Sequence, residues 1–476
     1  PAVDLGEREL FTQIDEPFTD EFFLGDLNVR YDFGSVELTS ITSYTDRDIL
    51  VVRDAGALTS SITGGSIGLD EEVYTLDSPL DDATTASTLT QELRFSGGDE
   101  RFQWLGGGFY ADSKRDYSQN LLVAGFEELT DIPTTGLRAP MNSLFWSDLA
   151  YDLQQYAFFG EATVTFGNLS LTGGLRYYHF EEDKEQIFDG IFAHNDTGTA
   201  IVSQPGSTSA DGYAPRLIAS YKVSPATNLN VQIAKGFRLG GVNDPLNIPL
   251  CTPQDLVTFG GRETWEDETA WNYEVGSKSL IMGGRGSVNV TAFYVDITDL
   301  QVSLTAGTCS SRVVFNVPEA RSIGAEFEFG LAPTENFDFA ISAGYNDSEF
   351  QSTLTSTDDM GNVTVVSGIE EGRRLPSVPK FQMAAAATYQ QEVADGFTGY
   401  LTATYNHVGS RFTQAGDEDL GVVDLLSFED AGGATIGGPL TQNTFTFDPE
   451  LPAYSLLNLR VGMSRASWKP FATGTK

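Results

Sequence analysis

The stretch Asn168–Tyr178 reads NLSLTGGLRYY, and its alternation decides the fold. Leu169, Leu171, Gly173, Leu175 and Tyr177 fall on one side of an extended chain, while Ser170, Thr172, Gly174, Arg176 and Tyr178 fall on the other. Successive side chains of a strand point to opposite faces, so one face here is greasy and the other polar. The same split recurs at Thr227–Arg238, where Leu229, Val231 and Ile233 oppose Asn228, Asn230, Gln232 and Arg238. It recurs again where Ile323, Ala325, Phe327 and Phe329 oppose Gly324, Glu326 and Glu328, and where Leu401, Ala403 and Tyr405 oppose Thr402, Thr404 and Asn406.

Alternation alone fits a soluble sandwich as well as a membrane barrel. The punctuation separates them. Tight turns fall near Gly34, Gly98, Gly167, Pro225, Gly284, Pro333, Asp395 and Ser464, roughly sixty residues apart. Between them lie two strands and a long polar connection: 54–85, 121–150, 183–212, 240–266, 350–375 and 412–452. A sandwich would show turn signals every 8 to 12 residues or so. Short turns at one end and long loops at the other describe a transmembrane antiparallel β-barrel, with turns on the periplasmic side and loops outside. Closure satisfies backbone groups where lipid offers none. Eight turns imply about sixteen strands. Aromatic residues beside the turns (Tyr31, Phe33, Phe95, Phe102, Phe166, Tyr221, Phe337, Phe339, Phe397 and Tyr400) fit an interfacial girdle, as do Trp104 and Trp468. Strand-end core packing is the alternative reading of them.

Composition narrows the function. Among 476 residues, 28 Lys plus Arg face 67 Asp plus Glu, a formal net charge of −39, which lacks the basic footprint of a nucleic-acid reader. The mixture is strand-forming: Phe 32, Tyr 18, Gly 49. No apolar run reaches the ~18 residues of a helical span, and no basic-then-apolar leader opens at Pro1. Two cysteines without a CxxC, and histidines scattered at 179, 194 and 407, give no metal centre. No Walker sequence, HExxH or GxSxG occurs, so no enzyme is expected. Glu181–Glu182 and Asp358–Asp359 read as solvated loop carboxylates. Gly106–Gly108 and Gly173–Gly174 lie inside strands, where small residues allow close backbone approach.

At this point the chain resembles one family, the TonB-dependent outer-membrane receptors of the siderophore type. The blocks that carry the resemblance run in order: SVELTSITSYTDRDI (35–49), TQELRFSG and FQWLGGGFY (90–110), YAFFGEATVTF and LSLTGGLRYYHF (156–180), APRLIASYKVSPATNLNVQIAKGFRLGGVN (214–243), ETAWNYEVGSKS (268–279), VNVTAFYVDITDLQVSL (288–304), NVPEARSIGAEFEF (316–329) and GRRLPSVPKF (372–381). The resemblance implies a 22-stranded barrel around an N-terminal plug, in the outer membrane of a Gram-negative bacterium. A TonB-contacting motif would draw on an inner-membrane motor. Neither plug nor motif is visible here, and no closing strand with a terminal aromatic is present. Residues 1–476 are therefore expected to be part of a barrel, about strands six to twenty-one.

Under that topology Cys251 and Cys309 sit in successive outer loops, and a disulfide is expected; two free thiols are the alternative. Substrate sites in this family draw on plug apices, inner wall and outer loops. The wall and loop candidates here are Arg238, Arg262, Trp265, Trp271, Arg312, His407 and Arg411, since arginine and aromatics suit anionic metal chelates. Each arginine has a bland alternative, pairing with a carboxylate. The function implied is active import of a scarce solute, above all a ferric siderophore, with no cofactor. Partners would be TonB, membrane lipid and lipopolysaccharide facing the acidic outer loops. A passive porin and a secreted adhesin or lectin are the rival expectations.

Overall fold

The alternating segments form fifteen long strands in one sheet of a computed structural model. It describes residues 12–60, 73, 75–192, 202–203, 205–309, 311–358, 360–424, 428–429, 435–436 and 444–465. The strands are β1 (Phe18–Asp32), β2 (Val36–Asp54), β3 (Pro79–Gly98), β4 (Phe102–Leu122), β5 (Ser143–Phe166), β6 (Leu169–Asp189), β7 (Gly206–Ser224) and β8 (Thr227–Arg238). They continue as β9 (Glu268–Ile281), β10 (Gly286–Thr305), β11 (Arg312–Thr334), β12 (Phe337–Phe350), β13 (Phe381–Ala394), β14 (Phe397–Val408) and β15 (Tyr454–Arg465). Order in the sheet is order in the chain, each strand antiparallel to the next. A short sixteenth segment, Val202–Ser203, extends the sheet beside β6. The expected strand beyond Ser464 lies outside the described residues, as does Trp468.

Register keeps the greasy positions of neighbouring strands on one face. Leu171 lies opposite Val164 and Ala219, and Tyr177 opposite Phe158 and Tyr213. That face is bare: Phe158 is 63% exposed and Leu217 62%. A water-soluble protein rarely leaves an apolar surface of this extent uncovered, whereas lipid covers a barrel's. The polar face is the concave one. Glu326, Glu328, Ser342, Gln382 and Asn406 line a hollow of about 390 Å³ on it.

The turns are tight because the backbone at their glycines is left-handed. Gly167 sits at φ 60°, and at Gly98, φ 127°, a Cβ would stand 2.0 Å from the Phe102 carbonyl oxygen. One turn is displaced from expectation. β11 runs through Pro333, which occupies a register break between Leu331 and Thr334, a place where its missing N–H costs the ladder nothing. The turn follows at Glu335–Asn336. Tyr400 also departs from expectation: it shares the polar face and lies under Arg460, 5.7 Å from its ring centroid.

The strands outrun their greasy segments. Those from β3 to β6 hold 20 to 24 residues, while about ten residues of tilted strand span the hydrocarbon. The outer halves of β3, β4 and β6 are largely polar on both faces, so polarity alone reads them as loop. Asp81, Asp82, Glu181 and Glu182, expected in loops, are strand residues for this reason; Asp70–Glu72 and Asp359 lie outside the described residues. Beyond the strand ends the loops build two separate cores. One joins Val73, Leu121, Val123, Phe126, Leu144, Phe192 and Leu250. The other joins Phe259, Leu304, Cys309, Phe315, Phe350, Ile369 and Ala415.

Candidate functional site

On the concave face, at the outer ends of β4, β5 and β6, three strands place cations against tyrosines. Arg115 lies 5.2 Å from the Tyr117 ring centroid and 4.6 Å from that of Tyr151. Lys184, directly opposite Tyr151 in the register, puts its Nζ 4.6 Å from the centroid of the same ring. Both distances fall within the ~6 Å of an effective cation–π contact. Lys184 is buried. Its ammonium donates to the Val242 carbonyl at 3.1 Å and pairs with Asp244, while Gln186 Nε2 donates to the Asn243 carbonyl at 3.2 Å. A buried ammonium needs such partners, so the strap 240–244 is clamped across the strand ends as a roof. Below it Asp82 accepts from the Tyr117 hydroxyl at 2.7 Å and from Gln119 Nε2 at 2.6 Å, and pairs with Arg53. Arg115 stays exposed; it makes no direct ion pair with a described carboxylate, and Glu182 on β6 is near enough to interact with its charge. It is a cation held between two aromatic rings with its edge open to the lumen.

The residues nominated from sequence distribute differently. Arg238, at the end of β8, donates to Glu268 at 2.7 Å and to the Gln301 carbonyl at 2.7 Å, so the bland alternative holds for it. Arg262 stacks 3.8 Å from the Phe315 ring centroid beside a cleft of about 180 Å³ lined by Asn243, Leu246, Leu256 and Phe259. Trp265 lies against Gly241, where a Cβ would meet its ring at 2.4 Å. Arg312 is exposed at the start of β11. These four belong to the sector β8–β11, and Arg411 belongs to another, in an antiparallel bridge with Leu451. Trp271 and His407 are not on the lumen side. Trp271 shares the face of Tyr273 and Val275, and His407, bonded to Ser455 Oγ at 3.0 Å, that of Leu401 and Tyr405; period two sends both outward.

Cys251 and Cys309 are joined by a disulfide. A carboxylate works beside it. Asp255 Oδ2 accepts from the backbone and hydroxyl of Thr252, at 2.9 and 2.7 Å, and from the backbone and hydroxyl of Thr308, at 3.3 and 2.7 Å. The Thr252 hydroxyl returns a bond from the Asp255 N–H, so the pair caps the short helix Pro253–Phe259. Burial alone would raise the pKa of Asp255; the threonine donors outweigh it and hold the carboxyl below the usual range.

The decisive comparison is with family models: the TonB dependent receptor-like β-barrel model matches residues 5–472. The chain belongs to that family. Among solved structures, it is similar to the ferric yersiniabactin uptake receptor FyuA of Yersinia pestis, with TM-score 0.66 and 15% identity over 96% of this chain and 56% of that one. It is also similar to the ferric-catecholate import receptor Fiu of E. coli K12, with TM-score 0.61 and 10% identity over 96% and 60%, and to the siderophore receptor PiuA of Acinetobacter baumannii, with TM-score 0.59 and 15% identity over 93% and 58%. At these identities the likeness is one of fold. The chain spans less than two thirds of the length of each.

For a TonB-dependent receptor barrel, the inner wall between β4 and β6 is the part the sequence reading missed. A signal for it existed. The turn Gly167–Asn168 pairs Phe166 with Leu169, and fifteen residues back from each lie Tyr151 and Lys184. Counting outward from a two-residue turn finds opposite neighbours without a structure.

Proposed function

We propose that this chain forms part of the barrel of an outer-membrane active transporter, about strands six to twenty-one of a longer receptor that TonB energises. Its cargo is an anionic metal chelate, a ferric siderophore. The observation that carries this reading is Arg115, open to the lumen, unpaired with any described carboxylate and flanked by Tyr117 and Tyr151. Stacked between two rings on the inner face, Arg115 offers charge to an anion and π-surface to a planar aryl group. The solved structures of like fold that carry ferric-chelate names support the cargo class. Acidic outer strands and loops suit a surface shared with lipopolysaccharide through divalent cations.

The test uses the full-length receptor in cells starved of iron and a radiolabelled ferric chelate. Arg115→Gln is expected to lower uptake about tenfold at limiting chelate, the scale of losing one partly desolvated cation–π and charge contact. Uptake equal to wild type, or uptake unaffected by collapsing the proton gradient, would refute it.

A further inference from the structure

Among the outer loops, the cleft beside Arg262 joins a cation to apolar walls. Its volume is about 180 Å³, and Leu246, Leu256, Phe259 and Val313 line it, with the strap residues Asn243 and Asp244 along one side. Val313 keeps the parity of Ile323 and Phe327, as does Phe315, on which Arg262 stacks, and the register with β10 carries no shift between them. That is the outward-facing set, so the cleft lies away from the lumen and from whatever fills it. Phe315 also stands eight residues beyond Ile323, roughly 26 Å along the strand and past the greasy segment of β11.

Arg262 is a cation without a counter-ion. Its Nε donates to the Thr258 carbonyl at 3.4 Å, and its Nη groups have no bonding partner among the described residues. Of the two carboxylates that line the cleft, Asp244 pairs with Lys184 and Glu263 is exposed to water. Burial alone acts on the Arg262 guanidinium, pulling its pKa below the ordinary value, and neither acid offsets it. Covering Phe315, which Phe259 meets edge-on at 5.8 Å, occupies one face of the guanidinium. The N–H edges are left, and their fork matches a carboxylate.

The walls say what that carboxylate is attached to. A dry apolar cavity of about 150 Å³ takes one benzene ring, close to the volume here. Asn243, the amide in the lining, has both ends engaged by the Val314 backbone, its Nδ2 donating at 3.1 Å and its Oδ1 accepting at 2.8 Å.

We propose that this cleft is an effector site for a monoaryl carboxylate, whose charge Arg262 holds and whose ring Leu246, Leu256, Phe259 and Val313 enclose. The ligand lies between the strap and the short helix Pro253–Phe259, so its binding braces the strap that carries Lys184. The site does not rest on the transport reading.

The test is a titration of the purified full-length receptor with benzoate, followed by saturation-transfer NMR. Benzyl alcohol, a ring without charge, and acetate, a charge without a ring, should each bind at least about fivefold more weakly. Arg262→Met keeps a cover over Phe315 and removes the charge; it should weaken benzoate about tenfold and leave benzyl alcohol within twofold. Leu256→Asn, at a half-exposed wall position, should weaken both, and Arg115→Gln neither. An unboiled gel shift checks that each variant is folded. At ten times its Kd, benzoate should slow amide exchange of the strap 240–244 about tenfold. No benzoate binding, acetate bound as tightly as benzoate, affinity indifferent to Arg262→Met, affinity lost with Arg115→Gln instead, or strap exchange unchanged at saturation would each overturn the proposal.

Discussion

Asp255→Asn is the sharpest test of how the mouth is held. One carboxylate oxygen of Asp255 accepts from the backbone and hydroxyl of Thr252 and the backbone of Thr308, and shares the single proton of the Thr308 hydroxyl with the Leu250 carbonyl, at 2.7 to 3.3 Å. Hydrogen bonds to a charged group contribute about 1.5–3 kcal/mol each, and those sharing an oxygen do not add. The asparagine keeps one neutral acceptor oxygen and turns the other position into a donor that clashes with any donor it meets. Asp255 is 9% exposed, so solvent does not step in. The net loss is about 2–3 kcal/mol, which raises the local opening equilibrium roughly 30- to 150-fold. Amide hydrogen exchange reads this directly. Peptides spanning 250–262 and 306–312 should exchange faster by that factor, while β9 and β10, which carry the hairpin between them, should not change. Exchange in those two segments within threefold of wild type would refute the reasoning.

The same residue gives a pH signature with a definite sign. The folded carboxyl is held below its ordinary value, so its contribution is complete above about pH 4 and is lost as pH falls through the folded pKa. Wild type should therefore show an acid step in exchange of the 250–262 segment below about pH 4. The asparagine variant, already loosened, should show none.

Two further outcomes follow from the wall itself. The Lys184–Asp244 pair is lopsided, its side chains 2% and 45% exposed, so Asp244→Asn, which strands a buried ammonium, should cost about 3 kcal/mol, and Lys184→Met, which leaves a half-solvated carboxylate, about 1 kcal/mol; limited proteolysis at the strap 240–244 ranks the two, and the opposite ranking counts against the clamp. Gly107→Ala would set a Cβ 2.3 Å from the Leu93 carbonyl oxygen and against Phe159, an overpacking expected to lower the temperature of the unboiled gel shift by an amount equivalent to about 2 kcal/mol or more, and an unchanged shift temperature would show that the strands can part to admit it.

Much of this was legible in the chain before any coordinates. Period two, read from Leu169 to Tyr178, fixes the faces, and the tight turns at Gly34, Gly98, Gly167 and Gly284 fix the topology. What escaped was whatever depends on length beyond the membrane and on register. Arg115 and Lys184 sit where both strand faces turn polar, and there alternation has nothing left to contrast. Trp271 and His407 have the chemistry of a chelate site, but period two puts them on the outward face with Tyr273 and Tyr405. Period two puts Arg238 on the inner face, and the register of β8 with β9 then sets Glu268 beside it. A cluster such as Arg115, Tyr151 and Lys184 joins residues more than thirty positions apart along the chain, and only a count outward from the turns brings them together.

The two loop cores give the disulfide a more specific task than stabilising the fold. Cys251 and Cys309 are 58 residues apart, and closing such a loop in an unfolded chain contributes about 4 kcal/mol in the entropy model. In the folded barrel that closure is largely made already, because the ladder between β9 and β10 holds the two arms in register over thirteen pairs, from Thr269–Thr298 to Ile281–Gly286. The bond therefore adds little to a barrel whose hairpin is intact. Its local position matters more. Leu250 is buried in the core built by the loops after β2, β4 and β6, while its neighbour Cys251 is tied to Cys309, buried in the core built by the loops after β8, β10, β12 and β14. One peptide unit thus separates a residue anchored in the first core from a covalent link to the second. Asp255 secures the same junction without a covalent bond, through Thr252 on one side and Thr308 on the other. The strap 240–244 that holds Lys184 and Gln186 leads into this junction, so its position over the ends of β5 and β6 is set by how the two cores are held together.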